Sequence, residues 1–438
     1  MALRSLSNAL QSFVLYWENS WPASCFSWVS RSWLASSKEE QNAPHLPAPR
    51  SDACLRRGDV VSLSSGEMTS PPLPSRTRVP RLRSASGETV RVQELPSRAM
   101  PDWADPFLVP EDGGDIFASR FWYDAVLGHA LPADARTAVA LIGEDEGQIL
   151  LPLLRGPRGL RSLATPYTLE WRPLSLGGDD AAIEAAGRGL GAWLRHRAPM
   201  WFEALDLQTP LITALARGVA ASGVSVQPYR HFGNWHEKLP PGQDWEGYLD
   251  TRAPVLRTTI RRKLKRAGRE FHFELVQERG ATLERGITAY EAVRAGSWKP
   301  SEPFPHFDAA LMRAAAAGGA LRLGVLRLGV LRDMAGQPVA AQYWLVSGGR
   351  AWLLKLCHLE TERAASPGTA LTALMIQGLI DRDGVRELDF GRGDDRYKRL
   401  WVSERRQRMG LVLAHAGHPQ GLMEVARHRV ASWLGRDA

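Results

Sequence analysis

Cysteine is nearly absent: Cys25, Cys54 and Cys357 are all there are in 438 residues. At those separations they offer neither a metal-ligand spacing nor a disulfide framework, which points to a reducing, cytoplasmic setting and to no metal site. No run of about 18 apolar residues occurs, so no membrane span is expected. The apolar stretch Phe13 to Trp17 is cut by Glu18 and Asn19, too early for a signal-peptide core. His-Glu-x-x-His, Gly-x-Ser-x-Gly and the Walker loop are missing, which removes the metalloprotease, α/β-hydrolase and P-loop classes. Acidic residues are in the minority: 55 Lys and Arg against 47 Asp and Glu leave a net charge of +8. That balance favours an anionic partner such as a nucleotide phosphate, a nucleic acid or an acidic glycan, without choosing among them.

What is present divides unevenly. Residues 1–100 are rich in Ser, Pro and Arg from Asn42 to Arg98, with Pro71-Pro72-Leu73-Pro74 and no sustained apolar period. Such a segment buries too little surface to offset its ordering entropy and is expected to be a disordered or mis-annotated extension, with Met68 and Met100 as alternative starts. An alternative for Phe13–Trp33 is a short docking helix. From Pro101 onward helices and strands alternate, which predicts a mixed α/β body. Helical spacing covers 116–127, 181–196 and 211–221; strands are expected at 137–142, 148–154, 160–163 and 201–207, the second and third forming a hairpin.

Across Arg252–Glu270, Leu256, Ile260, Leu264 and Ala267 recur at intervals of three or four and define one buried helix face. Arg257, Arg261, Arg262, Lys263, Lys265, Arg266 and Arg269 occupy the other faces, which predicts a basic linking helix. Further helices are expected at 287–296 and 308–317. Leu321–Val325 is followed by an identical Leu326–Val330 inside a strand. An odd insertion reverses which side chains face the core, so one copy should be bulged or looped out. Strands at 339–347 and 351–359, a helix at 371–381 ended by Gly384, and a strand at 385–390 complete the pattern. Before that helix stands Ser366-Pro367-Gly368-Thr369-Ala370, a small-residue turn of the kind whose backbone N–H groups bind phosphate oxygens. Cys357 and His358 are adjacent on a strand, point to opposite faces and cannot act as nucleophile and base.

These residues together resemble a known superfamily. Gly233-Asn234-Trp235, Leu256–Lys263, Ser297-Trp298-Lys299, Pro338–Gln342, Ser366–Thr369 and Asp389–Asp395 with Tyr397, Lys398 and Trp401 are similar, in order, to motifs of the GCN5-related N-acetyltransferase (GNAT) superfamily. The branch is the two-lobed one of CelD-like (cellulose-biosynthesis-type) and FemAB-like acyltransferases. The resemblance implies two tandem lobes, at 101–240 and 276–420, joined by the basic helix of 241–275 and followed by a tail or helix at 421–438. It places an acyl-CoA, such as acetyl-CoA, in a cleft between the strands 339–347 and 351–359. Leu359, Arg363, Ser366, Gly368, Thr369 and Ala370 would hold the cofactor, Gly368 at an exposed turn where the phosphates come closest. Ala365 stands where the superfamily has Gln or Arg, with Arg363 nearby to supply the charge.

On the acceptor side the resemblance implies Trp298, Lys299, Gln342, Arg257 and Arg261. His358, Glu360 and Asp394 are the candidate bases and Tyr397 the acid that protonates the leaving thiolate. Asp389 is expected to orient backbone or Arg392. The function implied is acyl transfer to an amine or hydroxyl of a carbohydrate or envelope precursor. Two other readings stand beside it: FemAB-like transfer from aminoacyl-tRNA, motivated by the basic helix and the imperfect phosphate turn, and a non-catalytic binding protein that keeps the fold.

Overall fold

The computed structural model describes residues 90–108, 115–143, 147–299, 301–316 and 325–433. The Phe13–Trp33 segment and the first repeat copy up to Gly324 lie outside them.

The order of elements repeats itself. Four strands, β1 (Val90–Glu94), β2 (Arg136–Ile142), β3 (Ile149–Gly156) and β4 (Gly159–Ser162), pair antiparallel in sequence, and β3 also holds the short β5 (Leu174–Ser175). Helix α2 (Asp180–Leu194) then leads to β6 (Met200–Leu205), parallel to β4. The second half runs β8 (Phe271–Val276), β9 (Leu326–Asp333), β10 (Pro338–Ser347) and β11 (Arg350–His358), again antiparallel. Helix α8 (Pro367–Asp381) returns the chain to β12 (Glu387–Arg392), parallel to β11. The protein is therefore a mixed α/β fold of two lobes with one plan.

One sheet joins the lobes. Its order is β1-β2-β3-β4-β6-β13-β7-β12-β11-β10-β9-β8, where β7 is Ser225–Lys238 and β13 is Glu404–Ala414. Each lobe's last strand has crossed to its neighbour: β13 of the second lobe lies against β6 of the first, and β7 of the first lies against β12 of the second. The strands that make this exchange are polar, and their charges are matched. Asp389, buried on β12, accepts from Asn234 Nδ2 at 2.7 Å, from the Gly391 amide at 2.8 Å and from Arg406. Arg406 also reaches Glu387 at 2.8 Å, Arg350 meets Glu387 at 2.9 Å, and Arg408 meets Glu170 at 2.6 Å. Burial would raise the Asp389 pKa, but Arg406 and Arg408 outweigh it and the net shift is downward, so the carboxylate stays ionised.

Helix α1 (Arg120–His129) is capped by Ser119, whose hydroxyl accepts from the Trp122 amide. It packs with α6 (Ala281–Ala295) and α7 (Phe307–Ala315) in a core drawn from both lobes, including Trp122, Tyr123, Leu150, Tyr290, Phe307 and Trp352. On the other face α2 and α3 (Pro210–Ala221) cover the first lobe, while α4 (Trp245–Asp250), α5 (Pro254–Glu270) and α8 cover the second. The short α9 (Lys398–Trp401) precedes β13, and α10 (Pro419–Trp433) follows it.

Two expectations change. Part of the segment read as an extension is strand and core: β1 starts at Val90, and Leu95 and Met100 are buried. Among the helices and strands the sequence pattern omitted are β7, β8 and β13, because charged and polar residues mask their alternation and Pro228 stands in β7, on a stretch paired on one side alone. The second repeat copy, Leu326–Val330, lies within β9; the first lies outside the described residues up to Gly324.

Candidate active site

The second lobe opens where its parallel pair diverges. β11 and β12 are in register at Arg350 with Glu387, Ala351 with Leu388 and Trp352 with Asp389, and no pair follows. The sequence-based cleft between β10 and β11 is thereby corrected: those strands are hydrogen-bonded along their length, from Ala340 with His358 to Ser347 with Arg350. Leu354 is bulged out of that hairpin, between the pairs Tyr343 with Lys355 and Trp344 with Leu353. The bulge changes parity. Trp352 faces the shared core before it; Lys355 and Cys357 face that side after it, while Leu356 lies on the α5 and α8 side.

Several of the residues read from sequence converge at the open end. The His358 ring lies 4.4 Å from that of Trp298, which is half exposed, and Lys299 Nζ lies 5.7 Å from the Trp298 centroid. Gly368 packs on the same histidine: a Cβ there would lie 2.9 Å from His358 Cδ2. The Glu360 amide donates to Gly296 O at 3.2 Å and the Leu359 amide to Val339 O at 2.9 Å, tying the loop after α6 to the strand end. Burial, with Lys355 next, lowers the pKa of the Lys299 ammonium, against the pull of Cys357, Glu302 and Asp395. Cys357 is buried and its thiol is pushed up to about 12, so it is no nucleophile.

Gly368 is not an exposed turn residue. It is buried in the first turn of α8, and the left-handed backbone belongs to Ser366, with φ of 56°. The turn's amides are mostly spent: Ser366 donates to Arg363 O, Thr369 and Ala370 both donate to Ser366 O, and Pro367 has none. Gly368 alone in this turn keeps an amide without a backbone acceptor among the described residues. Arg363 is exposed and bonded to Glu360 at 3.2 Å.

Other residues stand apart. Arg257 pairs with Asp250 at 2.9 Å and Arg261 with Glu246 at 2.7 Å, at the α4 end of the basic helix. Gln342 is buried, its Oε1 accepting from Trp344 Nε1 at 3.1 Å and its Nε2 unpaired. Asp394 is clamped by Arg405 at 2.6 and 2.8 Å and by Trp235 Nε1 at 3.1 Å. Arg405 accordingly holds its carboxyl below the usual range, which makes it a poor base. Tyr397 rests on Phe390 rather than on His358, and desolvation, then Asp395, raises its pKa so that the phenol stays protonated. Asp389 orients the Gly391 amide as expected but pairs with Arg406; Arg392 lies over Phe232 at 4.5 Å.

The reading by sequence missed a polar cluster just behind the mouth. Glu302 accepts from Lys355 Nζ at 2.5 Å and from the Tyr167 hydroxyl at 3.0 Å, and Lys355 also lies 4.6 Å from the Tyr167 ring centre. Tyr167 belongs to the first lobe and stacks on Phe307 at 4.4 Å. Deeper, the buried Asp308 accepts from Tyr290 and Tyr343, both at 2.6 Å. Lys355, the one charge inside the apolar run 351–357, was the available signal.

The equivalent place in the first lobe is closed. Beyond Arg161 and Trp201, where β4 and β6 part, the Trp171 amide donates to Ala204 O at 3.0 Å and the Glu203 amide to Ser162 Oγ at 3.0 Å. Its helix α2 begins with Asp179, which caps Ala182, and Asp180, a start that repels phosphate, whereas the first turn of α8 has no acid. In the second lobe no backbone hydrogen bond crosses from Leu353–His358 to the segment after Asp389 among the described residues.

Residues 255–399 match the family of acetyltransferase (GNAT) domains. This GNAT segment is about a third of the chain and holds the opened strand pair, α8 and the Trp298 loop. No curated protein matches. Among solved structures, FemX is 9% identical, covering 73% of this chain and 96% of its own with a TM-score of 0.47. L-PGS from Bacillus licheniformis is 12% identical over 73% and 93% of the two chains, TM-score 0.44, and a tandem GNAT protein of the clavulanic acid biosynthesis pathway is 15% identical over 74% and 98%, TM-score 0.41. Tyr167, which bonds Glu302 behind the opening, lies outside the GNAT segment. No group of residues suited to a metal ion occurs among the described residues, and no helix there is long and apolar enough to cross a membrane.

Proposed function

We propose that the second lobe is an acyltransferase site, taking an acyl group from a coenzyme A thioester such as acetyl-CoA to an amine or hydroxyl acceptor. The observation that carries this is the opened β11–β12 pair beside an acid-free helix start, inside the GNAT segment. The unpaired edge of Leu353–His358 offers backbone groups to a pantetheine arm as a missing strand would. The Gly368 amide at the positive end of α8 suits one phosphate oxygen, fewer than the sequence led us to expect. The thioester supplies an activated acyl carbonyl, and the chain supplies proximity and proton handling. His358 at the rim is within the group that would face the acceptor and is our choice for the proton acceptor, with Tyr397 protonated on the far side. Trp298 offers an exposed face for the acceptor. A carbohydrate or envelope precursor is the acceptor class that the resemblance implies. Titration calorimetry of the full chain with acetyl-CoA tests the reading; absence of heat up to millimolar cofactor would sink it.

A second donor, aminoacyl-tRNA, is favoured by one observation: Arg262, Lys263, Lys265 and Arg269 on α5 have no carboxylate within ion-pair distance among the described residues, unlike Arg257, Arg261 and Arg266. Salt-sensitive retention of charged tRNA on filters, without acetyl-CoA binding, would select it.

A further inference from the structure

Four of the large hydrophobic side chains exposed among the described residues lie on one helix, α10: Leu422 (54%), Met423 (54%), Val430 (55%) and Trp433 (85%). At about 100° per residue, these four and the exposed Ala426 fall within one arc of roughly 100°. Arg429 borders that arc on one side and Arg427 on the other. The opposite face packs: Gly421 is buried against the His415 backbone, and Glu424 is tied to Arg427 at 2.9 Å. The helix is thus held to the protein by one side while presenting an apolar stripe, with a tryptophan at its last turn and arginines along both edges.

We propose that this face of α10 docks the protein on an anionic phospholipid surface. Leu422, Met423, Val430 and Trp433 enter the boundary between headgroups and acyl chains, and Arg429 meets the lipid phosphates. Charge decides between this occupant and a second copy of the chain. Two copies of the stripe packed together would leave Arg429 of each without a counter-charge, because the helix's one acid, Glu424, is largely buried and already paired with Arg427. An anionic surface supplies the counter-charge that Arg429 lacks. The inference is independent of the acyltransferase reading, because α10 lies outside the GNAT segment and none of its residues belongs to the cleft.

The experiment is flotation of the full chain with vesicles of phosphatidylcholine alone or of equal parts phosphatidylcholine and phosphatidylglycerol, with Val430→Glu/Trp433→Glu and Arg429→Glu as variants. The parent should float with the anionic vesicles and not with the neutral ones, less so at high salt. The double variant should lower the bound fraction at least about tenfold and the charge variant less, both keeping the parent's circular dichroism because the changed side chains are exposed. Failure of the parent to bind anionic vesicles would overturn the proposal. So would unchanged binding by the double variant, which would put the contact elsewhere. A parent that light scattering shows to be a dimer, dissociated by the double variant, would assign the face to a second copy and also overturn it.

Discussion

Glu302→Gln is the most direct probe of how the two lobes build one site. The glutamate side chain is 5% exposed and Lys355 15%, so water screens the pair little. The amide keeps an acceptor for Tyr167 but leaves the Lys355 ammonium buried without its counter-charge. Removing one partner of a buried pair costs about 3–5 kcal/mol, and the retained hydrogen bond reduces this to about 2–4 kcal/mol. Lys355→Met in the same chain removes the stranded charge, so the double variant should recover at least about 1 kcal/mol of the summed losses. Burial raises the Glu302 pKa, yet Lys355 and Tyr167 outweigh it and the folded value lies below the ordinary one. A depressed acid stabilises fully above its unfolded pKa of about 4.3 and loses that contribution as pH falls through the folded value. The deficit of Glu302→Gln, measured by urea unfolding, should therefore be largest at pH 7 and shrink below about pH 4.3. A loss under about 0.5 kcal/mol at pH 7, or strictly additive single variants, would refute the reasoning.

Gly368→Val should weaken acetyl-CoA binding at least about tenfold in calorimetry and, because the new side chain meets the His358 ring, should also lower stability; unaltered affinity in a folded variant would remove the phosphate site. His231 accepts from the Ala204 amide, and burial lowers its pKa to about 4, so the folded state resists its protonation. Stability should fall by up to about 3 kcal/mol as pH drops from 6.5 to 4, and His231→Asn, which keeps an acceptor, should flatten that slope in urea unfolding at a series of pH values. Reversing Arg262, Lys265 and Arg269 to Glu should abolish any salt-sensitive tRNA retention while leaving acetyl-CoA binding unchanged; if retention persists, α5 is not the contact.

Periodicity was enough to locate most helices and the apolar strands, since local burial patterns such as Leu256, Ile260, Leu264 and Ala267 depend on one element packing by one face. The Trp298 loop was named by the family resemblance, the α8 start by its small-residue turn, and His358 as one of three candidate bases near the expected cleft. Register and parity were beyond periodicity. The bulge at Leu354, which turns Lys355 and Cys357 toward the shared core, arises from pairing with β10 and leaves no mark in the strand's own composition. The exchange of β7 and β13 is a choice of partners among strands far apart in the chain, made favourable by ion pairs such as Arg408 with Glu170, whose partners lie 238 residues apart. Tyr167 and Glu302 meet across 135 residues, and only the folded chain pays the entropy that brings them to one carboxylate. The sequence by itself determined most helices, the apolar strands and the motif residues; which strands part, which lobe stays open and what stands behind its mouth were decided by tertiary packing, because those depend on long-range pairing that no local pattern encodes.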